Sequence, residues 1–318
     1  MSFSMATLVA RPTPESLPGD VSTPKPASGF PRTTTGRDVR LVARSNTLTA
    51  PTSGLAPTYV QANLIILPSR YAADFRLLCA RNPVPCPLLA ESSEPGRYDA
   101  FRSHVAGLSG LQIIAPDCDV RHDAPRYNVY RDAELVERGC LSIAARWTDD
   151  HVAFLIGCSF SFESALAAAG LTPRHMALGR NVPMYRTTVP LCPAGVFTDA
   201  IYVVSMRPYR APDIEKVQEV TRGYNVTHGE PIAFGWDALA RLGIRDIDNP
   251  EWGEAPQAED GSPLGKLYGS EQELPVFWAC GVTPQEAVMR AGIRGTVMAH
   301  APGHMLVLDC RDDDIISK

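Results

Sequence analysis

Two cysteines occupy matching positions in two similar stretches of the chain. Cys158 lies within residues 153–166 and Cys280 within residues 275–288, so the two cysteines are 122 positions apart. Each follows an apolar run of strand length and precedes a helix-like pattern. A thiol at the start of a helix has a lowered pKa, so each cysteine could act as a base or as a nucleophile. The alternative for each is a small buried apolar residue.

Polar residues follow both cysteines. Ser159, Ser161 and Glu163 come after the first, and Thr283-Pro284 comes after the second. Serine or threonine before a helix, and proline at its first position, are typical of helix starts. Glu163 either completes a capping box or acts as an acid–base group. Because free amides at a helix start favour anions, Ser159, Ser161 and Thr283 are predicted to lie where substrate binds.

The segment that follows the first unit contains two arginines six positions apart. Arg180 and Arg186 enclose a proline turn and Tyr185. An arginine can grip a carboxylate with two parallel hydrogen bonds, so both are candidate clamps for an acidic substrate. One of the two is predicted to form a structural ion pair instead. Tyr185 and Asn63, which lies in an earlier strand-like segment, are further candidates for substrate binding.

Two histidines lie close together near the end of the chain. His300 and His304 flank the loop sequence Ala-Pro-Gly. Imidazole is the side chain whose protonation changes most easily near neutral pH, so His300 is a candidate acid–base group and His304 a candidate substrate ligand. A metal site with Asp309 is a second interpretation. A loop histidine bonded to backbone is a third.

Strands and helices alternate around these residues. The pattern predicts a strand or a buried helix at the apolar end of 59–68, a helix at 71–81, a strand at 201–206 and a helix at 211–224. Together with the two cysteine segments, this indicates a mixed α/β protein built on two related strand–Cys–helix units. Loops between a strand end and the next helix are where such proteins usually place their sites.

Composition narrows the class of protein further. The 318 residues carry a net charge of −5, 45% are hydrophobic, and the eight cysteines are scattered. No basic run, no apolar segment long enough to span a bilayer and no nucleotide-binding glycine motif is found, so we expect no nucleic acid, no membrane and no cofactor or metal.

Residues 1–50 are predicted to be a disordered Pro/Ser/Thr-rich tail and 51–318 the folded domain. Reduced thiols favour the cytoplasm, with a mitochondrial presequence as the alternative. Self-association into a homo-oligomer stays open.

Several blocks of the chain resemble the D-glutamate cyclase family. The blocks are GLAPTYVQAN at 54–63, RNPVPCP at 81–87, IGCSFSFE at 156–163, RNVPMYR at 180–186, FWACGVTPQ at 277–285 and APGHM at 301–305. The resemblance covers about residues 50–310 and implies an α/β fold with two lobes. It also implies dehydration of D-glutamate to 5-oxo-D-proline. The long N-terminal segment and an extended stretch at 245–273 depart from the family pattern but leave these blocks intact.

Cyclisation of glutamate requires four functions of a site. It must hold the α-carboxylate, deprotonate the ammonium, stabilise an oxyanion and protonate the departing oxygen. The candidate residues named above supply groups of each kind. Two alternatives remain: a racemase that uses Cys158 and Cys280 on opposite faces of an amino acid, and a protein that binds a metabolite without turnover.

Overall fold

The computed structural model describes residues 34–316, which form a mixed α/β fold. The predicted tail at 1–33 lies outside the described residues. The strands are β1 Tyr59–Pro68, β2 Leu88–Ser92, β3 Phe101–Ser103, β4 Tyr127–Arg131, β5 Glu134–Cys140, β6 His151–Gly157, β7 Met184–Pro190, β8 Ile201–Tyr209, β9 Ala233–Phe234, β10 Leu274–Ala279, β11 Thr296–His300 and β12 Leu306–Arg311. The helices are α1 Gly36–Arg44, α2 Ala72–Arg81, α3 Gly110–Ile113, α4 Glu163–Ala168, α5 Arg174–Ala177, α6 Ile214–Arg222, α7 Asp237–Leu242, α8 Val282–Arg290 and α9 Asp312–Ile315.

The larger sheet is organised around β1. Eight strands pair antiparallel in the order β3-β2-β6-β1-β11-β4-β5, and β12 also pairs with β1. All residues of β1 after Tyr59 and all residues of β6 are buried, which explains their continuous apolar character. Along the side of β1 that faces away from β6, the partner strand is β12 near Gln61 and β11 from Ile65 onward. Asn63 and Leu64 therefore fall in a gap between two partner strands.

The smaller sheet has four antiparallel strands in the order β7-β8-β10-β9. Its central strands β8 and β10 pair along their length, from Leu274 opposite Tyr209 to Ala279 opposite Val204. The predicted strand at 201–206 and the predicted helix at 71–81 are confirmed, and of the two interpretations of 59–68 the structure has the strand. The first strand–Cys–helix unit, β6 to α4, belongs to the larger sheet, and the second, β10 to α8, belongs to the smaller one.

The two units begin their helices differently from the prediction. Residues Ser159–Phe162 form a 3₁₀ turn before α4, and the Ser161 hydroxyl accepts a hydrogen bond from the Gln61 amide at 3.0 Å. Helix α8 begins at Val282 after Gly281, so Thr283 already lies inside the helix. The predicted caps at Ser159, Ser161 and Thr283 are therefore wrong, because these hydroxyls bond to neighbouring elements instead.

Part of the predicted tail is folded. Helix α1 has a capping box between Thr35 and Asp38, and it packs against β12. Arg40 is buried there, donating to the Val307 carbonyl at 2.8 Å and to Asp309 at 2.7 Å. The prediction of disorder up to residue 50 is thus wrong for this helix, because a satisfied buried arginine and an apolar face compensate for its ordering entropy. None of the helices in residues 34–316 is long and apolar enough to cross a membrane.

Candidate active site

Asn63 links the two cysteine units. It lies on β1 at the gap between β11 and β12, and its Nδ2 donates to the Gly157 carbonyl at 3.0 Å. Gly281 approaches the same side chain so closely that a Cβ at this position would lie 1.8 Å from Asn63 Nδ2. Only glycine allows this contact. The predicted site residue Asn63 therefore lies between the residues that directly precede Cys158 and directly follow Cys280.

A buried ion pair lies next to this junction. Arg207 on β8 has no exposed side-chain surface, and its Nη2 lies 2.5 Å from Glu163 Oε1. The remaining donors reach Ser205 Oγ and Ser159 Oγ, each at 3.1 Å. His175 Nε2 lies 3.0 Å from the same Glu163 oxygen. Buried charges persist only when they are paired and hydrogen-bonded, and the pair of Glu163 and Arg207 meets that condition.

The environment keeps Glu163 ionised. Burial opposes ionisation, but the charges of His175 and Arg207 and their hydrogen bonds outweigh it and lower the pKa of Glu163 to about 2. The second carboxylate oxygen, Oε2, accepts a hydrogen bond from Ser53 Oγ at 2.9 Å. Glu163 is thus a permanent carboxylate at neutral pH, with one oxygen held by cations and the other close to the loop before β1.

The two cysteines come together but remain thiols. Cys158 and Cys280 belong to one buried apolar cluster with Val203 and Met305. Burial raises the pKa of Cys158 well above its usual range and raises that of Cys280 to about 11. The predicted lowering of these pKa values is wrong, because loss of solvation outweighs the backbone amides at each turn.

A cavity of about 220 Å³ borders Glu163. Its described lining comprises a loop before β1, part of β1, and residues of the first cysteine unit and its surroundings: Gly54, Leu55, Ala56, Pro57, Thr58, Tyr59, Gln61, Phe160, Ser161, Glu163, Ser164, Ala167 and Met176. Three larger clefts, of about 380 to 490 Å³, include neither Glu163 nor Asn63. The cavity beside Glu163 is therefore the candidate substrate site.

His300 bridges the gap in the larger sheet. Its Nδ1 lies 3.1 Å from the Leu64 amide nitrogen, 3.2 Å from the Leu64 carbonyl oxygen and 3.0 Å from Gln285 Nε2. Burial lowers the pKa of His300 to about 4, so the ring is neutral at pH 7. Its contacts are with β1 and α8, not with Glu163, which argues against the predicted acid–base role.

The two predicted carboxylate clamps are both engaged in ion pairs. Arg180 Nε lies 3.2 Å from Glu254. Arg186 Nε lies 2.8 Å from Glu286, and its guanidinium stacks over the Trp252 ring. The prediction that at least one arginine is structural is confirmed. Arg186 lines a different cleft from Glu163, so the structure does not bring it to the site.

Tyr185 and Thr283 have structural partners. The Tyr185 hydroxyl is buried and donates to the Ile247 carbonyl at 2.6 Å, and burial raises its pKa far above the usual range. Thr283 Oγ1 accepts from the Val203 amide at 2.9 Å and donates to its carbonyl at 3.1 Å, which ties α8 to β8. Neither hydroxyl lines the cavity beside Glu163, so the predicted contacts with substrate are not supported.

His304 is held by backbone carbonyls. Its Nδ1 lies 3.0 Å from the Pro302 carbonyl and its Nε2 lies 3.2 Å from that of Thr49. The interpretation as a loop histidine bonded to backbone is therefore confirmed for His304. Asp309 is engaged by Arg40, and residues 34–316 contain no group of three or more His, Cys, Asp or Glu placed to hold a metal ion.

Three residues in or around the site, Arg207, His175 and Gln61, are not among those predicted from the sequence. A charged residue inside the apolar strand β8 was a usable signal for Arg207, because such a residue is buried only with a partner. No local pattern distinguishes His175, whose position depends on the packing of α5.

The chain belongs to the D-glutamate cyclase family. The family profile matches residues 152–309. A protein of Schizosaccharomyces pombe is 41% identical over 86% of this chain and 83% of its own length, and one of Bordetella pertussis is 47% identical over 86% and 89%. Both carry the name "Putative hydro-lyase". A nitrogen repressor-like protein of Methanococcus jannaschii aligns over 86% of this chain at 10% identity with a TM-score of 0.33, which is too low to carry an argument.

Proposed function

We propose that this protein is a hydro-lyase that dehydrates D-glutamate to 5-oxo-D-proline in the cavity beside Glu163. The observation that supports this most directly is a buried Glu163 at the wall of a small cavity, with Arg207 Nη2 at 2.5 Å and His175 Nε2 at 3.0 Å from one carboxylate oxygen. Family membership and the hydro-lyase names of the relatives point to the same class of reaction. The substrate partner in this proposal is an acidic amino acid.

The proton balance of the reaction fits one shuttle. The amine attacks the side-chain carboxyl carbon, a carbon–nitrogen bond forms, and a carbon–oxygen bond breaks. The ammonium loses two protons, and the departing oxygen gains two and leaves as water. A group that removes protons from nitrogen can thus return them to oxygen, so no external acid is needed.

Glu163 is the group that we propose for this shuttle. Its carboxylate attracts the ammonium, and its low pKa makes it a poor resting place for a proton, so a proton taken from nitrogen is passed on to the departing oxygen. We assign to Glu163 the contact with the ammonium and the transfer of the protons, with Arg207 and His175 as the residues that position its carboxylate.

The test is chiral chromatography after incubation of the purified protein with D- and L-glutamate. We expect 5-oxo-D-proline from the D isomer alone. Glu163→Gln should lower kcat at least about a hundredfold, the usual loss when an acid–base group is removed. Glu230→Gln is the matched control, because Glu230 is an exposed partner of Arg222. If D-glutamate yields no lactam, the proposal is refuted.

The same experiment in D₂O separates the alternatives. A racemase would exchange the Cα hydrogen and interconvert the glutamates, whereas cyclisation leaves that hydrogen in place. Cys158→Ser and Cys280→Ser should retain substantial activity in the cyclase mechanism, because the shuttle does not use the thiols. Stabilisation of the fold by D-glutamate without any product would instead indicate a binding protein.

A further inference from the structure

One buried acceptor in the cavity beside Glu163 has no partner. Gln61 is 2% exposed, and its Nε2 donates to the Thr52 carbonyl at 3.0 Å and the Leu55 carbonyl at 3.3 Å. Its Oε1 is buried and makes no hydrogen bond to any described residue. Amide orientations can be ambiguous, but backbone carbonyls only accept, so the nitrogen must face them. The oxygen is therefore the atom left without a donor.

An unpaired buried oxygen is rare in folded proteins, because it has lost its hydrogen bonds to water. Gln61 lines the same cavity as Glu163, and both side chains bond to the segment that precedes β1. Glu163 Oε2 accepts a single hydrogen bond, from Ser53, which leaves it capacity for another donor. Two acceptors, one of them charged, thus belong to one small cavity.

The cavity offers no competing cation. Among its described lining residues there is no lysine, arginine or histidine, and the cations that hold Glu163 bond to its other oxygen, Oε1. A ligand that satisfies both acceptors must bring several N–H donors and positive charge. An ammonium group has three such donors, so it matches this arrangement better than a hydroxyl or a neutral amide.

The loop along the same cavity supplies donors for the other end of an amino acid. Gly54, Ala56 and Thr58 have φ values of 75°, 43° and 72°, so positive φ recurs at every second residue. The Leu55 N–H donates to the Thr52 carbonyl at 3.0 Å and Pro57 has no N–H, so the remaining amide donors of this loop belong to alternate residues. The amides of Ala56 and Thr58 donate to no described residue. Positive φ at Thr58, a β-branched residue, is a conformation that needs support from its surroundings.

We propose that Gln61 Oε1 and Glu163 Oε2 form the subsite for the α-ammonium of the substrate, and that the amides of Ala56 and Thr58 receive a carboxylate. This assignment rests on the proposed function in placing substrate in this cavity. It makes Gln61 a specificity-determining residue. The subsite should accept α-amino acids and discriminate against dicarboxylates that lack an ammonium group.

The test compares two ligands that differ only at that group. Calorimetry is performed with D-aspartate and with succinate, because cyclisation of aspartate would form a strained four-membered ring and turnover cannot disturb the measurement. We expect the protein to bind D-aspartate about ten- to a hundredfold more tightly, as for hydrogen bonds to a charged group. Gln61→Leu should reduce this ratio about tenfold. Gln272→Leu, at an exposed glutamine, should leave the ratio unchanged.

The ratio of the affinities for D-aspartate and succinate distinguishes loss of the ammonium subsite from a general distortion of the cavity. A loop displaced by Gln61→Leu weakens both ligands alike, whereas loss of the acceptor weakens D-aspartate alone. Equal affinities in the unaltered protein, an unchanged ratio in Gln61→Leu, or no binding of either ligand would each overturn the assignment. Lactam formation from D-glutamate is measured separately. Selective binding of the ammonium without lactam would refute the proposed reaction and leave this subsite standing.

Discussion

Replacement of Glu163 by glutamine should destabilise the fold strongly at neutral pH. Glutamine keeps the size of the side chain but removes the charge that faces Arg207. That guanidinium has no exposed surface, and its central carbon lies 5.3 Å from the centroid of the Phe162 ring and 5.2 Å from that of the Trp278 ring. Without the carboxylate it would be a buried charge with only two serine hydroxyls and an amide as partners, because water cannot reach it.

The magnitude can be worked out in two ways. A pKa of Glu163 lowered from 4.5 to about 2 corresponds to about 3 kcal/mol of preferential stabilisation of the folded state. Mutations that break a buried ion pair cost about 3–5 kcal/mol. Both values point to a loss of about 3 kcal/mol in the free energy of unfolding. The exposed pair of Arg222 and Glu230 should contribute less than about 1 kcal/mol, so Glu230→Gln again serves as the control.

Urea unfolding at several pH values checks the cause as well as the size. The folded-state pKa of Glu163 is depressed, so its contribution is complete above pH 4.5 and is lost as the pH falls toward 2. Unaltered protein and Glu163→Gln should therefore differ by about 3 kcal/mol at pH 7 and converge in acid. Glu91, whose pKa is also lowered to about 2, contributes equally to both proteins. A loss at pH 7 no larger than that of Glu230→Gln would refute the reasoning.

Two further perturbations test the surroundings of the site. Burial raises the pKa of Asp312 to about 7, so its ionisation costs stability as the pH rises from 4 through 7. Asp312→Asn should therefore raise the free energy of unfolding by about 4 kcal/mol at pH 8 and change it little at pH 4; equal effects at both pH values in urea unfolding would contradict this. Gly157→Ala places a Cβ 1.9 Å from the Val226 carbonyl oxygen. It should cost about 1–3 kcal/mol, seen as a lower Tm, and an unchanged Tm would exclude this close contact.

Strands with long apolar runs were predictable from the sequence. The apolar run at the start of β8 predicted a strand, and the helical spacing before Asn82-Pro83 predicted α2, whereas the apolar end of β1 was compatible with a strand or a buried helix. Helix α1 was missed although its capping box is visible in the sequence. The proline-rich composition around it dominated the prediction, and the partners of Arg40 in β12 are more than 260 residues away.

The polar contacts of the site were less predictable, because they depend on how the two sheets pack. Glu163 was identified from its position after Cys158, but its partner Arg207 lies 44 residues further along, on a strand of the other sheet. Thr283 illustrates the opposite error. Its sequence context is typical of a helix cap, yet its hydroxyl bonds to Val203, because β8 offers a free backbone N–H at that point.

Both errors show what the pattern of one chain cannot reveal. Hydroxyl, amide and carboxylate groups bond to whatever backbone or cation lies opposite, and the opposite element is set by sheet topology. At the junction of the two sheets, Asn63 donates a hydrogen bond to the Gly157 carbonyl, and Arg207 donates to Glu163. Gln61 lies two positions before Asn63 on β1, and its Oε1 has no hydrogen-bond partner among the described residues. An acceptor left unpaired beside a satisfied cluster has a physical explanation if the missing donor belongs to a substrate, because binding then restores the hydrogen bond that folding removed.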